Sequence, residues 1–128
     1  MDVLKKFIKE KIKNYSHARN YPNIFGTSKL SPFIKHGQIH VETIWEECTK
    51  IKNIGIKKFL AEIGWREFNH SLINFFPHML SGNYSIKFDN FPWQKNSKFL
   101  KAWQKGETGY PIVDAGMREL NGTGWMHN

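Results

Sequence analysis

The feature that most constrains this chain is its last stretch, from Gly109 to Asn128. Pro111 suits the first position of a helix, because its missing N–H would be unpaired there anyway. Apolar residues then recur at helical spacing, at Ile112, Val113, Met117 and Leu120. Gly122 and Gly124 can adopt the conformations that end one helix and begin another. The stretch predicts two helices around a tight turn, the second opening at Trp125 and reaching only its first turn, as in an interrupted protein.

The rest of the sequence also divides into helical segments, and no stretch alternates like a paired strand. Residues 2–14 carry an apolar face among lysines, formed by Leu4, Phe7, Ile8 and Ile12. This pattern predicts an amphipathic helix that packs on a neighbouring domain, with a membrane or nucleic-acid surface as the less favoured alternative. Further helices are predicted at 41–51, 56–76 and 97–105, with Trp45 and Trp103 in the core. The predicted class is all-α.

The segment 56–76 is the longest of these helices, bounded by Gly55 and Pro77. It is apolar on most sides, which predicts a central, buried helix. Its polar exceptions form one stripe, consisting of Glu62, Trp65, Arg66 and Asn69. Glu62 and Arg66 could form an ordinary intrahelical ion pair worth a few tenths of a kcal/mol. The alternative is that the stripe faces a pocket, because a buried glutamate needs a partner.

A second candidate site is the loop from Gly26 to Ser31, before a short helix that Ser31 would cap and Gly37 would end. Its hydroxyls, its backbone N–H groups and Lys29 could hold a phosphate at the positive end of that helix. Taken alone, the hexapeptide favours an ordinary capped loop over a phosphate site. Trp93 lies at the end of the loop 78–95. A tryptophan in such a position is normally a packing lid, that is, a half-buried side chain that covers its neighbours.

The composition limits the kinds of partner, location and metal site that this chain is expected to have. The formal net charge is +8, from 19 Lys and Arg against 11 Asp and Glu. Such a balance fits either a phosphate-bearing partner or a lysine-rich solvated surface. Cys48 is the single cysteine, so an internal disulfide is excluded and a reducing cytoplasm is expected. The sequence has no signal peptide and no apolar run of the ~20 residues that span a bilayer. The histidines lack metal-ligand spacing, so no metal is expected.

Three motifs in order carry a family resemblance: Gly26-Thr-Ser-Lys-Leu-Ser31, Glu62-Ile-Gly-Trp-Arg-Glu-Phe68, and the terminal stretch ending Trp-Met-His-Asn. They closely resemble the FAD-binding domain of the DNA photolyase and cryptochrome family. The resemblance implies that residues 15–128 are the amino-terminal portion of that helical domain, truncated at both ends, and that residues 1–14 form a connecting helix. Photolyases of this family bind FAD and split cyclobutane pyrimidine dimers in DNA by electron transfer from light-excited reduced flavin.

By similarity, the Thr-Ser-x-Leu-Ser loop and Tyr15 hold the FAD phosphates, and Arg66 reaches them from the long helix. The full set of cofactor-binding residues that the resemblance implies is Tyr15, Thr27, Ser28, Lys29, Leu30, Ser31, Phe59, Glu62, Arg66, Asn69, Trp125 and Asn128. Phe59 and Asn69 replace the Trp and Tyr that relatives often carry, so this chain departs from the family pattern at those two contacts.

The same resemblance assigns catalysis to Glu62, Trp93 and Asn128. Glu62 would bind the damaged pyrimidine, and Trp93 would be the outermost tryptophan of an electron-transfer triad. Contact with DNA is assigned to Arg19, Glu62, Trp65 and Asn128, with Trp65 stacking on the flipped-out lesion. The His127–Asn128 pair is the pattern of cyclobutane dimer photolyases of the class I type.

Two other functions stay open on the sequence. One is a cryptochrome-type blue-light photoreceptor, and the other is an inactive remnant or a basic nucleic-acid-binding module. The expected partner is UV-damaged DNA, and the expected location is a bacterial cytoplasm. Since half a pocket cannot bury the flavin ring, the isolated chain is expected to bind FAD weakly or not at all. A complementary chain could carry the rest of the domain.

Overall fold

Helices and short 3-10 turns make up the regular structure of this chain. The structure is a computed structural model that describes residues 2–128, and in that range it contains no strand. The all-α prediction is therefore confirmed. The helices are α1 (Asp2–Glu10), α2 (Tyr15–Ala18), α3 (Ser31–Lys35), α4 (Val41–Thr49), α5 (Ile54–Phe75), α6 (Ser97–Lys105) and α7 (Pro111–Thr123). The 3-10 turns are Ile12–Asn14, Pro77–Leu80 and Ile86–Phe88.

The chain divides into two compact units, one ending at Tyr84 and the other spanning Ser85–Asn128. The first unit has a core to which α1, α2, α4, α5 and the Ile12–Asn14 turn contribute. Its buried residues are Leu4, Phe7, Ile12, Tyr15, Leu30, Ile44, Cys48, Ile56, Phe59 and Ile63. The apolar face predicted for residues 2–14 is thus buried against other helices, although α1 itself ends at Glu10 and a 3-10 turn follows.

The long helix α5 begins two residues earlier than predicted, because Asn53 caps it. The Asn53 Oδ1 accepts a hydrogen bond from the Gly55 N–H at 2.8 Å. Gly55 lies inside the helix rather than before it, where a Cβ would come within 1.8 Å of the Ile12 carbonyl oxygen. The glycine therefore permits close contact between α5 and the turn that follows α1.

Only the first part of α5 is buried, so the prediction of a central, buried helix was wrong for the remainder. Its buried residues, Gly55, Ile56, Phe59 and Ile63, lie where α2, α4 and the Ile12–Asn14 turn pack. Trp65, Phe68 and Phe75 are exposed farther along. Periodicity located the apolar faces, but it could not tell which of them are covered.

In the second unit α6 and α7 pack on each other. The predicted ends of α6 are confirmed: the Asn96 Oδ1 accepts hydrogen bonds from two backbone N–H groups at 3.1 Å, and Gly106 follows with φ +70°. The buried Asp114 ties the preceding loop to α7, because its carboxylate accepts hydrogen bonds from the Thr108 hydroxyl and from the N–H groups of Thr108 and Gly109.

The predicted second helix at Trp125 was wrong. Helix α7 continues through Gly122 to Thr123, and Gly124 ends it in the left-handed conformation with φ +71°. Residues 125–128 are not helical. The Thr123 hydroxyl accepts a hydrogen bond from the Trp125 N–H at 3.1 Å, which satisfies a donor that a helix start would leave unpaired.

Other local predictions also need correction. Ser31 is the first residue of α3 rather than its cap, and Leu30 precedes it without a capping side chain. Trp45 and Trp103, expected in the core, are about half exposed. The 78–95 loop contains a 3-10 turn at Ile86–Phe88. None of the helices in residues 2–128 has the length and apolar character needed to span a membrane.

Candidate cofactor and nucleic-acid site

Two of the residues assigned to the cofactor, Tyr15 and Phe59, belong to a buried cluster of three rings with Phe7. The ring centroids are 4.8 Å apart for Phe7 and Phe59, and 5.5 Å apart for each pair that includes Tyr15. Burial raises the pKa of Tyr15, an effect that the nearby Arg19 charge partly opposes. The cluster joins α1, α2 and α5, so it forms a rigid base beneath the polar residues that lie next to it.

Directly beside this base, Arg19 pairs with Glu62. The Nη1 atom of Arg19 contacts Glu62 Oε1, and Lys58 Nζ approaches the same oxygen at 3.4 Å. The Arg19 guanidinium lies 5.6 Å from the centre of the Tyr15 ring, within the range of a cation–π contact. The hydrogen bond from Arg19 lowers the pKa of Glu62, and Lys58 lowers it further. Glu62 is therefore a carboxylate at neutral pH.

The simple intrahelical pair considered for Glu62 and Arg66 is absent among the described contacts. Arg66 pairs instead with its neighbour Glu67. Glu62 contacts Arg19, the residue that directly follows α2, as well as Lys58 of its own helix. A contact from outside the helix is the arrangement expected when a polar stripe faces a site rather than open solvent.

The loop before α3 is anchored next to the same base. Gly26 packs so closely on α2 that an added Cβ would lie 2.4 Å from the Ala18 Cβ. Leu30 is buried in the core. Between them Lys29 adopts φ +53°, which is uncommon for a residue with a side chain. The Ser28 Oγ accepts a hydrogen bond from the Leu30 N–H at 3.3 Å. The loop therefore has a defined shape, with Thr27, Ser28 and Lys29 half-buried and Ser31 exposed.

The helix that follows this loop has only five residues, Ser31–Lys35. A helix this short has only a small dipole, so it would contribute little to phosphate binding. The hydroxyl, ammonium and backbone N–H groups of the loop itself are the main candidates for holding an anion there.

The outer residues of the stripe on α5 are more accessible. Trp65 is 59% exposed, and its ring meets the Phe68 ring edge-on at 5.6 Å. Asn69 is exposed one turn farther on. Trp65 lies three residues after Glu62 in the sequence, and its aromatic ring is open to solvent. Stacking on a base would require such an exposed ring.

A groove of about 460 Å³ lies on the first unit between α3, α4 and α5. It is lined by Ile34, Gly37, Ile39, His40, Val41, Glu42, Trp45, Ile63, Gly64, Arg66 and Glu67. Of the residues assigned to cofactor or DNA, Arg66 alone lines it. The groove is therefore distinct from the Arg19–Glu62 pair and from the 27–31 loop.

The remaining predicted residues lie in the second unit. Trp93 is 70% exposed, and its ring lies 4.6 Å from that of Phe91, so it is not the packing lid that its loop position suggested. Trp125 is half-buried, with its ring edge-on to His127 at 6.2 Å. The His127 Nδ1 lies 2.8 Å from the Asn128 carbonyl oxygen. Met126 folds back until its Sδ would lie 3.1 Å from a Cβ at Gly116.

Comparison with known proteins identifies the class. A family model described as the FAD binding domain of DNA photolyase matches residues 59–128, which is more than half of the chain. The chain belongs to this family of photolyase FAD-binding domains.

Similar curated proteins agree with this assignment. The chain is 42% identical to the deoxyribodipyrimidine photo-lyase of Agrobacterium fabrum, with all of the chain aligned to 28% of that protein. It is 38% identical to the Escherichia coli deoxyribodipyrimidine photo-lyase, with 98% of the chain aligned to 28% of that protein. The chain thus spans little more than a quarter of the length of these relatives.

Solved structures match as well. A bacterial class III photolyase from Agrobacterium tumefaciens superposes with a TM-score of 0.94 at 41% identity, over 99% of this chain and 27% of that chain. A Synechocystis cryptochrome superposes with a TM-score of 0.90 at 30% identity, over 99% of this chain and 28% of that chain. The fold is shared by photolyase and cryptochrome.

The residues present are chemically suited to the diphosphate of FAD. Thr27, Ser28 and Ser31 carry hydroxyls, and Lys29 carries an ammonium, within one loop of defined shape. Hydroxyl, amide and ammonium donors are the usual partners of phosphate oxygens. By contrast, the side chains of Tyr15 and Phe59 are buried, and their rings pack on each other and on Phe7.

Sequence reasoning missed two polar residues with clear structural roles. Lys58 lies one helical turn before Glu62, and this i, i+4 spacing was a readable signal for the contact that the structure contains. Asp114 follows Thr108 and Gly109 in a turn-rich segment, which is a weaker signal for the clamp they form. No group of three or more His, Cys, Asp or Glu side chains within residues 2–128 could hold a metal ion.

Proposed function

We propose that this chain is part of a deoxyribodipyrimidine photo-lyase, a light-dependent enzyme that binds FAD and repairs cyclobutane pyrimidine dimers in DNA. The proposal is supported by the family match together with one structural observation. The Glu62 carboxylate is kept ionised by Arg19 and Lys58. It lies three residues before Trp65 on α5, and the Trp65 ring is exposed. A base needs both features, an aromatic face on which to stack and an acceptor for its N–H groups.

In this proposal the residues of the chain bind and position the reactants. Thr27, Ser28, Lys29 and Ser31 hold the FAD diphosphate, and Arg66 adds a positive charge from α5. Glu62 accepts a hydrogen bond from the damaged pyrimidine, and Trp65 stacks on it after it leaves the duplex. FAD, when bound and reduced, supplies under light the electron that splits the cyclobutane ring.

The residues of the second unit complete the assignment. Asn128 and Trp125 contact the cofactor, Asn128 also contacts the lesion, and Trp93 passes electrons to the flavin. The other contacts proposed for the cofactor are those of Tyr15, Leu30, Phe59, Glu62 and Asn69, and Arg19 is assigned to the DNA side of the site. As domains, residues 1–14 are the connecting helix and residues 15–128 the amino-terminal portion of the FAD-binding domain.

UV-damaged DNA is the proposed partner, and a cytoplasmic location fits an enzyme that acts on a bacterial chromosome. The chain spans about 28% of the length of these relatives. A complementary chain that carries the rest of the domain is a further proposed partner. Exposed aromatic and aliphatic side chains on the second half of α5 would be covered in such an assembly.

A cryptochrome-type photoreceptor is the second candidate, because a cryptochrome has the same fold over 99% of this chain. The identity to curated photolyases, 34–42% against 30% for that cryptochrome, favours repair. The two functions differ in one measurable property. A repair enzyme discriminates damaged from undamaged DNA, whereas a photoreceptor has no need to.

The first test measures binding of the purified chain to a duplex with one cyclobutane thymine dimer and to the same duplex without damage. We expect tighter binding to the damaged duplex, and we expect Trp65→Ala to abolish the difference. Trp45→Ala is the matched control, since Trp45 is a similarly exposed tryptophan of the same unit, on α4. Equal binding of the two duplexes would contradict the roles proposed for Glu62 and Trp65 in recognising the lesion.

The second test is a graft. Residues 2–128 replace the aligned segment of the Agrobacterium photo-lyase, and the chimera is assayed for retained FAD and for light-dependent dimer splitting. We expect both to be retained, because the fold is the same over that segment. A chimera that folds and keeps FAD but does not split dimers would refute the repair function, and one that loses FAD would refute the cofactor assignment.

A further inference from the structure

We infer that Lys11 is a positioning residue for the 27–31 loop, and that it acts through the peptide group that joins Thr27 to Ser28. The inference rests on the proposed function, in which this loop holds the FAD diphosphate. Lys11 holds the Thr27 carbonyl from one side of the loop, and the Ser28 N–H is thereby presented to an anion on the other side. Lys11 itself does not touch the anion.

The first observation is a contact between Lys11 and the loop. The Lys11 Nζ donates to the Thr27 carbonyl oxygen at 3.5 Å, although the two residues are 16 apart in the sequence. The distance is at the long end for an N–H···O hydrogen bond, so the attraction between the ammonium charge and the carbonyl dipole supplies most of its strength. Lys11 is half-buried. The other lysines of residues 2–14 are exposed, namely Lys5, Lys6, Lys9 and Lys13.

The second observation is that the main chain of Lys11 is fixed by the core. Its N–H donates to the Phe7 carbonyl at 2.9 Å, and its carbonyl accepts a hydrogen bond from the Asn14 N–H at 3.1 Å. The next residue, Ile12, is buried, and its carbonyl oxygen lies against Gly55 of α5. The ammonium therefore reaches the loop from a rigid base, as a positioning residue requires.

The third observation concerns the direction of the peptide group between Thr27 and Ser28. This peptide is trans, so the Thr27 carbonyl and the Ser28 N–H point to opposite sides. Because the carbonyl faces Lys11, the N–H faces away from it. None of the hydrogen bonds within residues 2–128 has the Ser28 N–H as its donor. This N–H is therefore available to an acceptor from outside the chain, such as a phosphate oxygen.

The two ends of the loop are fixed independently of Lys11. Gly26 packs on Ala18, and Leu30 is buried in the core. A peptide group between two fixed points can still rotate about the soft dihedrals on either side of it. The contact with Lys11 selects one orientation of that peptide, in which its N–H faces outward.

The ammonium also strengthens the donor that it positions. A positive charge at the carbonyl oxygen polarises the peptide group, so the N–H of the same peptide becomes a better donor to an anion. The contacts run in order from the ammonium to the carbonyl, and from the N–H to a phosphate oxygen. This role requires a cation at position 11, and it requires no particular side chain at Thr27 or Ser28.

The first test measures the peptide group in the full chain without a ligand. Lys11→Met removes the ammonium and keeps an unbranched side chain of similar length, and Lys13→Met is the matched control at an exposed lysine. We expect the NMR signals of the Thr27 carbonyl carbon and the Ser28 amide to shift in Lys11→Met and to stay in place in Lys13→Met. Signals that are the same in the two variants would overturn the inference without involving a cofactor.

A titration with inorganic pyrophosphate then measures the effect on an anion. We expect the Ser28 amide of the unmodified chain to shift as pyrophosphate is added. Lys11→Met should weaken this binding by about two- to tenfold, the change that corresponds to one hydrogen bond, and Lys13→Met should leave it nearly unchanged. A direct contact between Lys11 and the anion predicts weaker binding in Lys11→Met while the ligand-free Ser28 amide stays in place. That result would overturn the positioning role.

Lys11→Arg tests the charge and covers the case in which Lys11→Met does not fold. Arginine keeps the charge and can donate to the same carbonyl, so we expect a Ser28 amide signal and a pyrophosphate affinity close to those of the unmodified chain. An arginine variant that behaves like Lys11→Met would overturn the role of the charge. If pyrophosphate does not shift the loop of the unmodified chain, the proposed cofactor role of the loop fails, while the ligand-free signals still decide whether Lys11 holds the peptide.

Discussion

Two glycines of α5 provide a sharp test of how this helix packs. Gly55 lies against the turn after α1, where an added Cβ would come within 1.8 Å of the Ile12 carbonyl oxygen. Gly64, nine residues farther along the same helix, has no atom of the described residues within 4 Å of an added Cβ. Both are helical, so alanine improves the intrinsic helix propensity at each. Only the surroundings differ.

The expected effects have opposite signs. At Gly64 alanine should raise the free energy of unfolding by about 0.8–1.0 kcal/mol, the usual helix preference for alanine over glycine. At Gly55 the neighbour is backbone, which cannot swing aside, so α5 and the Ile12–Asn14 turn must separate. Overpacking of this kind costs about 1–3 kcal/mol, which outweighs the gain in propensity. The two variants should therefore differ by at least about 1 kcal/mol.

Thermal and urea unfolding, followed by far-ultraviolet circular dichroism, measure this difference. In a unit of this size 1 kcal/mol corresponds to a Tm shift of about 4–8 °C. We expect Gly64→Ala to melt above the unmodified chain and Gly55→Ala to melt below it. A Gly55→Ala variant as stable as the unmodified chain would refute the close approach of α5 to Ile12. A destabilised Gly64→Ala would mean that a neighbour packs where the structure places open space.

Three further predictions concern the two units. Phe7→Ala, at the centre of the ring cluster, should lower the free energy of unfolding by about 3–5 kcal/mol in urea titrations. Phe25→Ala, at an exposed site, should change it by no more than about 0.5 kcal/mol. Similar losses of stability in the two variants would contradict the ring cluster. Cys48 is fully buried, and burial raises its pKa to about 11. Iodoacetamide at pH 8 should therefore label Cys48 only when the chain unfolds. Rapid labelling of the folded chain would contradict the burial of Cys48. Hydrogen bonds from Thr108 lower the pKa of Asp114, so the contribution of Asp114 to stability is present above the ordinary aspartate pKa and is lost as the pH falls through the lower pKa of the folded state. In an acid titration followed by circular dichroism, the loss of structure that accompanies protonation of Asp114 should be missing in Asp114→Asn. An unchanged titration profile would exclude the clamp.

The sequence was sufficient wherever local chemistry decides the structure. Helix α6 was predicted with both ends, because Asn96 caps it with its own side chain and Gly106 ends it in the left-handed conformation. The helix at Trp125 was predicted wrongly for a related reason. The Thr123 hydroxyl bonds to the Trp125 N–H, and a motif of glycines and a tryptophan does not reveal that competing local bond.

The candidate site was predictable as a set of residues but not as a set of contacts. The stripe of Glu62, Trp65, Arg66 and Asn69 follows from helical spacing alone. The partner of Glu62 does not, because Arg66 and Lys58 are both within reach along the helix, whereas Arg19 follows α2 and is distant in sequence. The structure selects Arg19 and Lys58 for Glu62, and it turns Arg66 toward Glu67. Tertiary packing brings α2 against α5, and periodicity carries no information about that choice.

This packing has a consequence for how the residues of the site act together. Tyr15 was assigned to the cofactor, Arg19 to DNA and Glu62 to the lesion, yet the three are consecutive in one chain of contacts that begins in the core. A change in the Tyr15 ring would alter the support of Arg19, and a change in Arg19 would alter the charge and orientation of Glu62. Their effects should therefore be non-additive, as is usual for residues that share one network. A loss of dimer recognition after substitution of Tyr15 would then arise through Glu62 and need not involve the cofactor.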